Sequence, residues 1–372
     1  MKIGIITQRI GRNYGGTMQN YALQKVLKDM GHEPVTMMLA RPKVSFVRWL
    51  AHYALYKMLC LCGKDAFLFL SDKNIIYIYH NTQKFVDEKI TIQVLSEKEF
   101  AYFVIKNNLD AIIVGSDQVW RPRYNDSLDI CYLGFTKQMS LKRISYAASF
   151  GVDTWEYSAE ETERCKTLVK SFDGVSVREA SAVGLCKSHF GIEAELVLDP
   201  TLLLSKSDYK RLLNRDAYYW GKFLFAYLLD DNREKRNIID SIAKEKGLTV
   251  IYFMPDAKMN SLKSELELPR AAFRPIDEWI AGFNECDYVV CDSFHGSVFS
   301  IIFNKPFTVI SNSERGNTRF NSLLKIFGLE DRMYNEDNYN FHSKINWDFV
   351  NSILEINKMK SLTFLKSKLC KK

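Results

Sequence analysis

The sequence contains no uninterrupted apolar run of about 20 residues, the length a helix needs to cross a bilayer. Its most apolar stretch, residues 44–70, is broken by Arg48, His52, Lys57, Lys64 and Asp65. That stretch is therefore not a membrane span. It reads either as an amphipathic helix on a membrane surface, with Trp49, Tyr53 and Tyr56 flanking cationic side chains, or as a packed or dimer-forming helix. Paired cysteines are also lacking: none of the eight forms a CxxC pair, and Cys60 and Cys62 are too close and too isolated for a four-ligand zinc site. Free, mostly buried thiols are expected, and no metal or other cofactor. Low-complexity tracts, short repeats and long basic runs are absent too. The formal net charge of +7 is a mild excess spread along the chain, which suits anionic small molecules or an acidic membrane surface and argues against nucleic acid. Residues 1–7 run straight into a strand-like segment with neither an apolar signal region nor a cleavage site. A cytoplasmic protein is expected, peripheral to the inner face of the membrane if residues 44–70 bind lipid.

What is present suits two ordinary domains: 372 residues, 47% hydrophobic and 26% charged. Residues 2–7 read as a strand, 17–30 as a helix ended by Gly31, and 34–39 as a second strand, so the chain opens on a βαβ unit. Further strands are legible at 111–114, 143–147, 174–177 and 195–198. From about residue 206 the pattern restarts: strands at 222–229, 249–254, 287–291 and 306–310, helices at 233–246, 276–286 and 296–303. The expected fold is α/β, two Rossmann-like doubly wound domains facing a cleft, as in the B-type glycosyltransferases. The expected domains are 1–205 on the acceptor side and 206–345 on the donor side, joined within 204–215, with a helix in 346–372 packing back on the first domain. Nothing in the residues specifies self-association.

In open parallel sheets the ligand crevice lies beyond the carboxyl ends of the strands. The residues found there become the candidates. Asn13, Gly15 and Gly16 precede the expected first helix as a loop that would cradle a phosphate or sugar, or simply make a tight turn. Ser116, Asp117 and Trp120 follow a fully apolar strand, the indole offering a face to a sugar or, alternatively, filling the core. Arg178 and Glu179 leave the strand at 174–177, and a guanidinium there suits a carboxylate or phosphate, or a surface ion pair. Asp199 also stands at a strand exit. Ser293, His295 and Gly296 sit where a strand turns into a helix, so that His295 would act as general acid or base beside an anion-binding helix terminus. Arg315 and Arg319, near the helix at 319–327, invite the same reasoning as Arg178.

These segments coincide with a family pattern. The strand at 2–7 with Asn13-Tyr14-Gly15-Gly16 through Leu23-Gln24, the run 110–120, Ser145-Tyr146-Ala147-Ala148-Ser149-Phe150-Gly151, Ser176-Val177-Arg178-Glu179, Leu198-Asp199-Pro200-Thr201 and Asp292-Ser293-Phe294-His295-Gly296 resemble the polysaccharide pyruvyl transferases over residues 2–330. The resemblance implies phosphoenolpyruvate as donor and a glycan or lipid-linked saccharide as acceptor of a pyruvate ketal, with Arg178 and His295 lining the donor site. That chemistry needs a proton donor, positive charge for carboxylate and phosphate, and a base for the sugar hydroxyls. His295, Arg178 with Arg319, and Asp117 or Glu179 are of the types required. A nucleotide-sugar-dependent glycosyltransferase and a non-catalytic glycan-binding protein of the same fold are the competing readings.

Overall fold

The computed structural model describes residues 1–41, 46–62, 66–215, 218–219, 221–311, 318–336 and 343–370. Two all-parallel sheets organise them. The first runs in the order β3-β2-β1-β4-β5-β6-β7, built from β1 (Lys2–Ile6), β2 (Glu33–Leu39), β3 (Ile92–Leu95), β4 (Ala111–Val114), β5 (Lys142–Ala148), β6 (Gly174–Val177) and β7 (Glu195–Leu196). The second runs β11-β10-β8-β9, from β8 (Phe223–Tyr227), β9 (Thr249–Tyr252), β10 (Tyr288–Cys291) and β11 (Phe307–Val309). β4, β8 and β10 are buried at every position, which is why they read as unbroken apolar runs rather than alternating ones.

Strand order reverses once in each sheet. In the first the chain moves outward through β2 and β3, then crosses to place β4 on the far side of β1; in the second, β9 and β10 flank β8. The crevices at these reversals lie beyond β1 and β4 and beyond β8 and β10, where the candidate residues cluster.

Two helices begin earlier than the apolar pattern suggests. α1 (Tyr14–Asp29) starts three residues before Thr17 because Asn13 caps it, its side chain accepting from the Gly16 N–H at 3.1 Å. The helix Phe294–Ile302 likewise starts ahead of Gly296, capped by Ser293. Gly15, Gly16 and Gly296 are thus inside first helical turns and not in open loops.

The domains meet over aromatic packing. Tyr14 of α1 stacks on Trp279 (centroids 5.7 Å apart, planes at 12°), meets Phe253 edge-on at 5.2 Å, and donates its hydroxyl to the Arg274 carbonyl at 2.9 Å. One apolar cluster consequently runs from Ile3 and Ile5 through Tyr14 to Trp279, Phe283 and Phe299. Between β2 and β3 stand α2 (Phe46–Leu61) and α3 (Asp72–Lys89), the latter reaching across the joint through Asn81, which donates to the Phe273 carbonyl at 2.9 Å. The last helix, Trp347–Leu369, returns to the first sheet, where Ser361 accepts from the Leu198 N–H at 3.0 Å and Lys142 donates to the Lys368 carbonyl at 2.7 Å. Among the described residues no helix is long and apolar enough to cross a membrane. Of the described cysteines, five are buried free thiols, while Cys62 and Cys370 are exposed. Arg315 and the side chains of Arg48 and Trp49 lie outside the described residues.

Candidate active site

The exit of β10 is fixed before the chemistry begins. Asp292 accepts from the N–H groups of Leu229 (2.6 Å) and Asp230 (3.1 Å) and from the Lys235 ammonium (2.7 Å), tying the end of β10 to the end of β8. Ser293 then caps the next helix, and His295 occupies its first turn, buried against α1. Nε2 of His295 lies 3.7 Å from Asp199 Oδ2, close enough to pair electrostatically and too far for a hydrogen bond.

Asp199 is the hub. Its Oδ2 accepts from Ser116 Oγ at 3.0 Å and from Arg178 Nη1 at 2.8 Å, while Oδ1 accepts from the Thr201 N–H at 3.0 Å and its hydroxyl at 2.6 Å. Burial pushes this carboxyl up, but His295, Arg178 and Thr201 together outweigh burial and hold it well below the usual carboxylate range. Asp117 balances in the same way: burial raises it, and Arg178, His295 and Arg319 bring it down. It takes Arg178 Nη2 at 3.3 Å, from a backbone in the left-handed region (φ 72°). The Phe294 ring lies 4.3 Å from the Arg178 guanidinium and 6.0 Å from that of Arg319. Burial, with the like charge of Arg178, pushes Arg319 down to about 10. Asp117, Glu179 and Asp199 offset these guanidiniums, Asp117 and Glu179 partly countering the effect on Arg319.

Comparison with known proteins decides the family. The sequence model of the polysaccharide pyruvyl transferases matches residues 13–314, most of the chain. The chain belongs to the polysaccharide pyruvyl transferase family. No curated protein matches it significantly. Among solved structures, Arabidopsis thaliana UGT89C1 complexed with UDP is 10% identical, with a TM-score of 0.51 over 100% of both chains. A Listeria monocytogenes protein named as a UDP-N-acetylglucosamine 2-epimerase is 10% identical, with a TM-score of 0.50 over 98% of this chain and 90% of that one. At such identity the likeness concerns the fold, and it agrees with the two-domain Rossmann-like architecture expected of a polysaccharide pyruvyl transferase.

In this pyruvyl transferase-family chain, Gly16, Asp117, Ser116, Arg178 and His295 form one connected group: Gly16 faces Asp117, Asp117 holds Arg178, and Asp199 joins Arg178, Ser116 and His295. The surroundings of the other candidates differ from what the sequence suggests. Trp120 offers no face to a sugar; it is fully buried, stacked on Tyr132 at 5.2 Å, with its indole N–H on the Cys131 carbonyl at 3.3 Å. Glu179 is fully buried, its Oε1 accepting from Ser149 Oγ (2.7 Å) and the N–H groups of Phe150 and Gly151 (both 3.0 Å), while its Oε2 has no hydrogen bond among the described residues. Arg178 is paired more tightly than a free anion grip would be, with Nη1 on Asp199, Nη2 on Asp117 and its face against Phe294, while its Nε has no hydrogen bond among the described residues. At the expected cradle, Asn13 accepts from the Gly16 N–H and His295 lies against Gly15. Ser293 is a cap, accepting from the Gly296 N–H at 3.4 Å. The central role of Asp199 was missed; its strand-exit position within Leu198-Asp199-Pro200-Thr201 was the available signal.

Proposed function

We propose that this protein transfers a pyruvyl group from phosphoenolpyruvate to a sugar of a cell-surface or exported glycan precursor, closing a pyruvate ketal. Family membership supports the reaction class. The observation that carries the chemistry is the meeting of His295 with Asp199 at 3.7 Å, where the second domain touches the first. His295 is assigned the proton donor to the methylene carbon of the enol. Its Nε2 has no hydrogen bond among the described residues, which suits an acid that must release its proton. The first sugar hydroxyl adds to the cation left at the central carbon and gives up its proton. Phosphate departs with the electron pair of its C–O bond, a second hydroxyl of the same sugar closes the ring, and that hydroxyl's proton leaves with the phosphate. Asp117, whose side chain is 16% exposed against 0% for Asp199 and 1% for Glu179, is the carboxylate best placed to take the first hydroxyl proton. Arg319 and the positive end of the helix Phe294–Ile302 are assigned the donor's anionic groups.

A lipid-linked acceptor at the membrane completes the reading. α2 exposes Leu50, Leu55 and Met58, and residues 41–73 carry Arg41, Lys43, Arg48, Lys57, Lys64 and Lys73 against only Asp65 and Asp72.

The deciding experiment incubates the purified full chain with phosphoenolpyruvate and a panel of saccharides. Phosphate release that requires the saccharide, with an acid-labile carboxylated product by mass spectrometry, is the expected result. Consumption of a nucleotide sugar without phosphoenolpyruvate would establish glycosyl transfer instead, and saccharide binding with no turnover of either donor would establish a glycan-binding protein.

A further inference from the structure

A second cavity, of about 380 Å³, opens at the carboxyl ends of β8 and β9, walled on its far side by α3. Tyr79, Tyr252 and Phe273, each half-buried, give it aromatic walls. Its remaining polar character is carboxylate-rich: Asp230, Asp231 and Asp256 against Arg236 and Lys258. Arg236 is already engaged, its Nε 2.9 Å from Asp231 and its guanidinium 4.6 Å over the Tyr252 ring.

Two short connections join this recess to His295. Phe273 packs on Tyr14 at 5.6 Å, and the next residue, Gly15, is the one against which His295 lies. Leu229 and Asp230, both lining the recess, donate their N–H groups to Asp292, three residues before His295. The recess is thus coupled through packed side chains and backbone hydrogen bonds to the turn that carries His295.

We propose that this recess, although it lies mostly in the half expected to hold the donor, binds a sugar ring of the acceptor saccharide, an assignment that rests on the transferase reading above. Aromatic walls suit the C–H face of a pyranose, and carboxylates accept hydrogen bonds from its hydroxyls. The same carboxylates disfavour a nucleoside diphosphate, whose charge they would repel. The volume lies at the small end of the ~300–1,000 Å³ usual for ligand pockets, which fits one sugar unit of a longer chain better than a nucleotide sugar.

Saturation-transfer NMR on the full chain, without phosphoenolpyruvate, tests this with methyl β-galactopyranoside, methyl β-glucopyranoside, methyl α-mannopyranoside and N-acetylglucosamine as probes. Saturation should pass to at least one hexoside, and affinity should fall about tenfold or more in Tyr252→Ala, which removes a wall, and in Ala257→Trp, which fills the cavity. Phosphoenolpyruvate affinity, titrated separately, should stay unchanged in both. Should one variant fail to fold, the other carries the test. Absence of transfer to every probe, affinity undiminished in the folded variants, or displacement of the hexoside by UDP would each overturn the assignment. Loss of the transferase reading would look different: hexoside binding through the recess, with no phosphoenolpyruvate binding to the wild-type chain.

Discussion

Gly15 and His295 share one contact: a β-carbon added to Gly15 would lie 2.2 Å from Nδ1 of His295. Glycine at that place in α1 is what lets an imidazole from the other domain lie on the helix. Gly15→Ala should therefore fold, displace the ring, and lower turnover on the order of 10²-fold, the cost of a misplacement near 1 Å. His295→Gln should lose ~10²–10⁴-fold while still binding phosphoenolpyruvate. A pH–rate profile for wild type and His295→Gln checks the assignment; if the variant keeps both rate and profile, the acid lies elsewhere.

Removing Arg178 strands two buried carboxylates, Asp117 and Asp199. Arg178→Ala is expected to destabilise the fold by ~3–5 kcal/mol, as when one partner of a buried ion pair is deleted. Denaturant unfolding measures this, and a loss below ~1 kcal/mol would show that the cluster is wetter than described.

Acid should unfold the protein through the same group. Asp117 and Asp199 are both held below their ordinary range in the folded chain. The stability they contribute is thus fully present above the unfolded carboxylate value of ~3.9 and is lost as pH falls below it. Melting temperature against pH should drop on the acid side of about 4. In Asp199→Asn the curve should start lower at neutral pH and fall less steeply there.

Arg319 is the cation assigned to the donor, and burial with Arg178 pushes it down to about 10. Arg319→Ala should weaken phosphoenolpyruvate binding by ~1.5–3 kcal/mol, the worth of a hydrogen bond to a charged group. Calorimetric titration reads this directly, and unchanged affinity would move the donor site away from Arg319.

Membrane contact through α2 predicts co-flotation with vesicles containing anionic phosphatidylglycerol and much weaker binding to neutral phosphatidylcholine vesicles. Leu55→Glu and Met58→Glu place charge on exposed apolar positions of α2 and should abolish flotation without changing the melting temperature. Equal binding of both vesicle types, or none, would remove the membrane from the proposal.

Much of the scaffold was legible from apolar spacing between breaks in the pattern. β4, β6 and the helix Arg233–Lys246 have the bounds their patterns predict, and the tail helix Trp347–Leu369 falls within the expected 346–372. α3 and β3 went unread: α3 turns only Asn74, Ile78, Thr82 and Val86 fully inward, and β3 is partly exposed over three of its four residues. At the site, position along the chain pointed to Ser116, Asp117 and His295, since strand exits converge in parallel sheets. Position could not tell which side chains would be consumed by neighbours. The burial of Trp120 depends on Tyr132, and the engagement of Glu179 on the backbone of Phe150 and Gly151; these are partners that tertiary packing alone supplies.

Tyr14 joins the two halves. Prying the halves apart would bare Tyr14, Phe253 and Trp279, three aromatic side chains now packed together across the joint. Full exposure of one such side chain costs ~1.5–3 kcal/mol. Trp279 would keep Phe283 and Phe299, and Phe253 would keep Phe225, so the ring that stands to lose most is that of Tyr14, the rivet that holds one half on the other.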